Sequence, residues 1–158
     1  MKGRSVTQPE DGFSLVEVMV VTLVIAIVIG IALPMFLGAR ARAEERRAEA
    51  QLRSGLTAGL TYWTDGGTFT GLDANCSPTA DSCTVADVTE SSVTWVGPAA
   101  PADLQVSIVF AAGNNLLLVA RSVTGEYFCI AQSTGQSDRG RAPAFSDVDT
   151  APECAGGW

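Results

Sequence analysis

An apolar run from Phe13 to Leu37, with Glu17 as its only ionisable side chain, constrains this chain more than any other feature. A helix over these residues is about 37 Å long at 1.5 Å per residue, enough to cross the hydrocarbon core of a bilayer. These residues therefore fit a membrane span, and the remaining residues suffice for one small domain. An acid near the centre of a membrane helix costs about 2.5–3.5 kcal/mol on insertion scales, so Glu17 needs neutralisation or a partner. A cut between Gly12 and Phe13 would create that partner. The new α-amino group would sit close to the acid, in the same chain or in a neighbouring copy.

A hydrophilic leader ending in Gly12, then Phe13, Ser14, Leu15, Val16 and Glu17, an apolar span and Pro34 together resemble the N-terminus of type IV prepilins and of the pseudopilins of type II secretion and DNA-uptake machines. The family usually carries Thr where Ser14 stands and Leu where Val18 stands. The resemblance is close up to Leu37; beyond it only the layout is shared. It implies cleavage after Gly12 by a prepilin peptidase, N-methylation of Phe13, and assembly through the N-terminal helix. It also implies the partners: the membrane before assembly, the inner-membrane pilus assembly machinery with its separate ATP-driven motor, and other copies of the chain in a helical fibre. Glu17 and Phe13 are then the assembly residues, with the Glu17 carboxylate meeting the α-amino group of Phe13 in an adjacent subunit. Gly30 and Pro34 mark where the helix can loosen when subunits pack, because an interior proline removes a hydrogen bond and clashes with the preceding turn.

Two other readings of the N-terminus compete. A secretory signal has an apolar core of about 7–15 residues, and this run is longer, although Ala39-Arg40-Ala41 and Ala41-Arg42-Ala43 offer small-residue cleavage sites. A plain membrane anchor accounts for neither the Gly12-Phe13 junction nor the acid at Glu17. Orientation is contested by charge, since cytoplasmic flanks normally carry the Lys and Arg excess. Lys2 and Arg4 face Arg40, Arg42, Arg46, Arg47 and Arg53 across the span. Those arginines are interleaved with Glu44, Glu45 and Glu49, and the cysteines favour an oxidising compartment. The expected precursor therefore has its N-terminus in the cytoplasm, and the mature chain is expected in an extracellular filament at the cell surface.

Net charge is −7 over 158 residues, and from Ser54 onward eleven acids face only Arg121, Arg139 and Arg141. An acidic surface of this kind disfavours nucleic acid, and none is expected as a partner. The chain has no histidine, which removes the commonest general base and the usual zinc ligand. No catalytic residue, cofactor or metal is expected, and the chain reads as no enzyme. Asp147, Asp149 and Glu153 are the oxygen ligands a calcium ion could use, but Asp-Val-Asp without the rest of a loop motif reads as a solvated acidic loop. Cys76, Cys83, Cys129 and Cys154 allow three disulfide connectivities. The short-range choice, Cys76 with Cys83 and Cys129 with Cys154, resembles the pilin arrangement in which a C-terminal loop is tied to a strand. Neither spacing fits the short pairs of a zinc site.

Beyond Leu37 the helix is expected to continue to about Trp63. Arg40/Glu44 and Glu49/Arg53 are spaced i, i+4, and Leu52, Leu56, Leu60 and Trp63 form a stripe to dock on a sheet. The stretch from Asp65 to Ser91 reads as a long exposed loop. Strands are expected at Ser92–Val96, at Leu104–Phe110 by the alternation of Leu104, Val106, Ile108 and Phe110, at Leu116–Arg121 and at Glu126–Gln132. The tail from Ser133 reads as loose apart from Cys154. The expected fold is α+β and pilin-like, a long helix packed on a small antiparallel sheet of three to four strands. Its parts are a leader over 1–12, an apolar helix over 13–37, an amphipathic continuation over 38–64 and a β-rich head over 65–158. The function read from this is a structural subunit of a type IV pilus. The alternatives are a pseudopilin or minor pilin of a secretion or DNA-uptake fibre, or a membrane-anchored extracellular binding domain that does not polymerise.

Overall fold

The computed structural model describes residues 12–78 and 83–158. In chain order the elements are α1 (Leu15–Gly66), α2 (Thr84–Thr89), β1 (Thr94–Val96), β2 (Gln105–Ala112), β3 (Asn115–Arg121), β4 (Tyr127–Ser133), β5 (Gln136–Ala142) and a 3-10 turn at Phe145–Asp147. The chain divides into two compact units, Met1–Ala39 and Arg40–Trp158, with α1 contributing to both.

In the first unit α1 opens with the Ser14 carbonyl accepting the Val18 N–H at 3.3 Å and continues without a break through Gly30 and Pro34. Its Val and Ile side chains are stiff and only moderate helix formers in water, but in an apolar medium a helix satisfies each backbone group within the segment. The large apolar side chains here are about half exposed or more, and the most apolar window has a mean hydropathy of 2.9. The one hydroxyl of α1 within this unit, Thr22, donates to the Met19 carbonyl at 2.9 Å.

The second unit is an α+β domain on a five-stranded sheet in the order β1-β2-β3-β4-β5. From β2 to β5 the sheet is an antiparallel meander, whereas β1 runs parallel to β2, so the sheet is mixed and has one strand more than expected. A parallel neighbour ordinarily needs a long crossover. Here β1 is three residues long, and the Pro-containing connection 97–104 has little length to retrace. Strand β5 lies within the tail read as loose. It pairs with β4 along its whole length from Tyr127↔Ala142 to Ser133↔Gln136, through a turn with Gly135 at φ 80°. Its sequence, Gln-Ser-Asp-Arg-Gly-Arg-Ala, lacks the apolar alternation of a strand because its side chains, Gly140 aside, are exposed or half-buried at the edge of the sheet.

The two faces of the sheet carry separate cores. Val106, Ile108, Leu116, Leu118, Ala120, Phe128 and Ile130 pack with Ala48, Leu52 and Ala58 of α1 and with Trp95. On the other face Leu117, Val119, Ala131 and the Cys129–Cys154 disulfide pack with Val148 and with Phe145, which meets the Tyr127 ring at 5.9 Å.

The docked face of α1 keeps only half of the stripe read from the leucines: Leu52 and Leu56 pack against the sheet, Leu60 and Trp63 do not. Its buried residues are Ala48, Leu52, Gly55, Ala58 and Gly59, while Leu56 is half-buried and Leu60 and Trp63 are exposed. Two glycines decide this. A Cβ on Gly55 would lie 3.1 Å from the Trp95 ring, and one on Gly59 would lie 2.6 Å from Leu116 Cδ2. The helix backbone lies directly on the sheet's side chains, and Trp63 reaches sideways to donate from its indole N–H to Asn114 Oδ1 at 3.2 Å.

Three further expectations are corrected. Leu104 does not open β2: it sits at φ 64°, its N–H bonded to the Arg121 carbonyl at 2.9 Å, while Asp103 pairs with Arg121 at 3.2 Å. The alternation from Val106 fails at Phe110 because the register shifts between Ile108 and Phe110. Ile108 faces Leu118 and Phe110 faces Leu117, so Val109 is the extra residue and Phe110 turns away from the helix. In the stretch read as an exposed loop, Phe69, Leu72, Cys83 and Ala86 are buried, and α2 is tied to the chain before it by the Cys76–Cys83 disulfide.

Candidate functional site

The residues singled out by sequence lie at the start of α1. Gly12 and Phe13 precede the helix, a Cβ on Gly12 would meet nothing within 4 Å, and Phe13 is 80% exposed. Both residues are therefore exposed within the described residues. Residues 1–11 of the expected leader lie outside the described residues.

Glu17 sits in the first turn of α1, where the free N–H groups carry the positive end of the helix dipole. That placement eases the acid's cost by a fraction of a kcal/mol up to about 1 kcal/mol, well short of the cost of burying a carboxylate in hydrocarbon. No ion pair to Glu17 occurs among the described residues. Among the described residues, the helix end therefore presents a carboxylate with no ion-pair partner on an apolar, exposed helix.

Residues 8–33 match the family described as the prokaryotic N-terminal methylation motif. The chain carries the signature of type IV pilins and pseudopilins. The chain matches no curated protein and no solved structure. Within the motif fall Gly12, Phe13, Glu17 and Gly30, while Pro34 lies one residue beyond it. Around Gly30 there is open space, since a Cβ there would meet nothing within 4 Å.

The disulfides Cys76–Cys83 and Cys129–Cys154 are both formed, in the pairing that the pilin resemblance implied. The second ties the loop after β5 to the middle of β4. Among the described residues no group of three or more metal-ligating side chains is gathered. Asp147 and Glu153 are engaged locally instead, Ser146 donating to Asp147 at 3.2 Å and Thr150 to Glu153 at 2.5 Å. Of the two helix pairs read as i, i+4 partners, Glu49 and Arg53 meet at 3.4 Å and Arg40 and Glu44 do not pair. Sequence reasoning missed Gly55 and Gly59, whose signal was two glycines four apart in an otherwise strong helix. It also missed the bulge at Val109, for which a one-dimensional pattern carries no signal.

Proposed function

We propose that this chain is a structural subunit of a type IV pilus, made as a membrane precursor with its N-terminus in the cytoplasm and cut between Gly12 and Phe13 by a prepilin peptidase. The observation that carries this reading is the methylation motif at 8–33 running directly into an exposed apolar helix with one acid in its first turn. Methylation leaves the new Phe13 amine basic, so it still carries a positive charge. In the membrane the span is covered by lipid; in the fibre, the same surface is covered by copies of itself. The Glu17 carboxylate then pairs with the Phe13 amine of an adjacent subunit, and two charges that are each costly in an apolar bundle neutralise one another. Gly30 and Pro34 give the helix a weak point for the change of surroundings, and the head of Arg40–Trp158, stapled by two disulfides, faces the outside. The activity is assembly, not catalysis.

Mass spectrometry of the N-terminal peptide in the sheared extracellular fraction and in the membrane fraction tests this. A peptide beginning at N-methylated Phe13 and abundant in the sheared fraction is the expected result. An N-terminus upstream of Gly12, or just after Ala41 or Ala43, would overturn it.

A further inference from the structure

The face of the sheet away from α1 holds an open cavity of about 470 Å³, within the range of specific small-molecule sites. Its apolar lining includes Val109, Leu117 and Ala131. The bulge at Val109 adds an aromatic ring to them. In regular register Phe110 would follow Ile108 into the core under α1; the shift instead turns it to the opposite face, half exposed. Bulges re-aim side chains in this way.

Both charged groups of the lining are acids, and they come from separate elements. Asp138 lies on β5, and Asp149 lies in the segment that the Cys129–Cys154 disulfide ties to β4. The Asp138 carboxylate accepts from the neutral Gln136 amide at 3.0 and 3.1 Å. Among the described residues no hydrogen bond or ion pair reaches the Asp149 carboxylate. Thr150, also in the lining, commits its one hydroxyl hydrogen to Glu153 at 2.5 Å, which leaves its oxygen as an acceptor.

The arginines of the head do not answer these acids. Arg121 pairs with Asp103 at 3.2 Å, and Arg139 lies over Trp158, which packs with the core under α1. Arg141, two residues further along β5, shares the face of Arg139. From Ser54 onward eleven acids face only these three arginines, so the surrounding field is negative.

This chemistry selects a ligand. An anion is repelled, and a neutral ligand would strip water from two carboxylates while returning no charge. A metal ion is poorly served, since no three ligating side chains gather among the described residues. Two acids in one apolar and aromatic cavity match a chain with a donor-bearing cation at each end and a hydrocarbon middle.

We propose that this cavity binds a small alkyl dication, an amine or guanidine charged at both ends, held by Asp138 and Asp149 with its hydrocarbon chain against Phe110 and Val109. The site belongs to the head alone and goes beyond the fibre reading. In a fibre built on α1, this face of the sheet is turned away from the axis.

Titration of the full chain with agmatine tests it, in an uncharged polyoxyethylene detergent at low salt with a chelator present and both disulfides intact. Expected is saturable binding, weakened at least about tenfold by Asp138→Asn with Asp149→Asn and at least about threefold by Phe110→Ala. Asp65→Asn, an exposed acid at the end of α1, should leave binding unchanged. Butylguanidine, which carries one charge, should bind at least about fivefold more weakly than agmatine. If the double variant does not fold, Phe110→Ala decides. Absence of saturable agmatine binding, or equal binding by the variants, overturns the proposal. Equal binding of butylguanidine also overturns it, pointing to a single arginine side chain of a partner protein. So does preferential binding of N-acetylglucosamine, or of calcium ion alone once the chelator is removed. The titration needs no polymer, so its failure would leave the fibre reading standing.

Discussion

At the scale of single residues, Gly12 and Glu17 separate the two steps of the proposed assembly. Gly12→Leu puts a branched side chain at the proposed cleavage junction, and uncut precursor should accumulate in the membrane, read by the mass of the N-terminal peptide. Glu17→Ala leaves the junction intact and removes the partner proposed for the Phe13 amine. A charge left unpaired in an apolar bundle costs about 3–5 kcal/mol, so assembly should fall more than about a hundredfold while cleavage continues. Normal fibres from that variant would sink the pairing. Elsewhere, Glu90 shows how one hydroxyl tunes an acid: the Ser92 O–H at 2.6 Å, and then its N–H at 3.1 Å, hold the Glu90 carboxyl below its ordinary value. Because the folded value is the lower one, the linked stability is present above the ordinary carboxylate range and is lost as pH falls through the folded value. Ser92→Ala should raise the Glu90 titration midpoint toward the ordinary value, followed by carboxyl NMR.

At the scale of elements, the packing of α1 turns on Gly55 and Gly59, and opposing effects decide what a substitution does. Replacing glycine within a helix gains up to about 1 kcal/mol in backbone terms, whereas forcing a large side chain into a packed contact costs about 1–3 kcal/mol. At 3.1 Å from a buried indole and 2.6 Å from a buried leucine, the steric cost wins for a large residue. Gly55→Leu and Gly59→Leu should each lower the stability of the detergent-solubilised chain by about 1–3 kcal/mol, while Leu60→Ala, exposed, should stay within about 0.5 kcal/mol. Equal effects at all three positions would refute the docked face. The elements divide by how far sequence pattern carries them. Strands β3 and β4 are runs of Leu, Val, Ile and Phe bounded by turn residues, and the sequence reading found both within a residue. The docked face of α1 was hidden because glycines leave no hydrophobic mark, and β5 because an edge strand has no need of an apolar row.

For the whole molecule, much of the small head's cohesion is covalent. In the chain-entropy model the 25-residue separation of Cys129–Cys154 is worth about 3.5 kcal/mol and the 7-residue separation of Cys76–Cys83 about 2.4 kcal/mol. Removing the first pair by Cys129→Ala with Cys154→Ala should therefore cost about 1 kcal/mol more in denaturant unfolding than removing the second. The reverse order would show that α2 and its loop, not the C-terminal segment, depend more on their staple. The methylation motif was legible before the fold was, since the Gly12-Phe13 pair, the lone acid and the apolar run are local in sequence. The open cavity lined by Val109, Phe110, Leu117, Ala131 and Asp138 on the sheet face away from α1 was not, because it needs β2, β3, β4 and β5 brought side by side.

The open sheet has a further consequence wherever copies of this chain meet one another. Both free edges offer unpaired backbone groups on which another strand could grow into uncontrolled β-aggregates. Here one edge is β1, three residues long, and the other is β5, which carries Asp138, Arg139 and Arg141. Brevity guards the first edge and charge the second. Copies held at high local density are thus discouraged from zipping together through their backbones, and their associations are left to side-chain surfaces that can be specific and reversible.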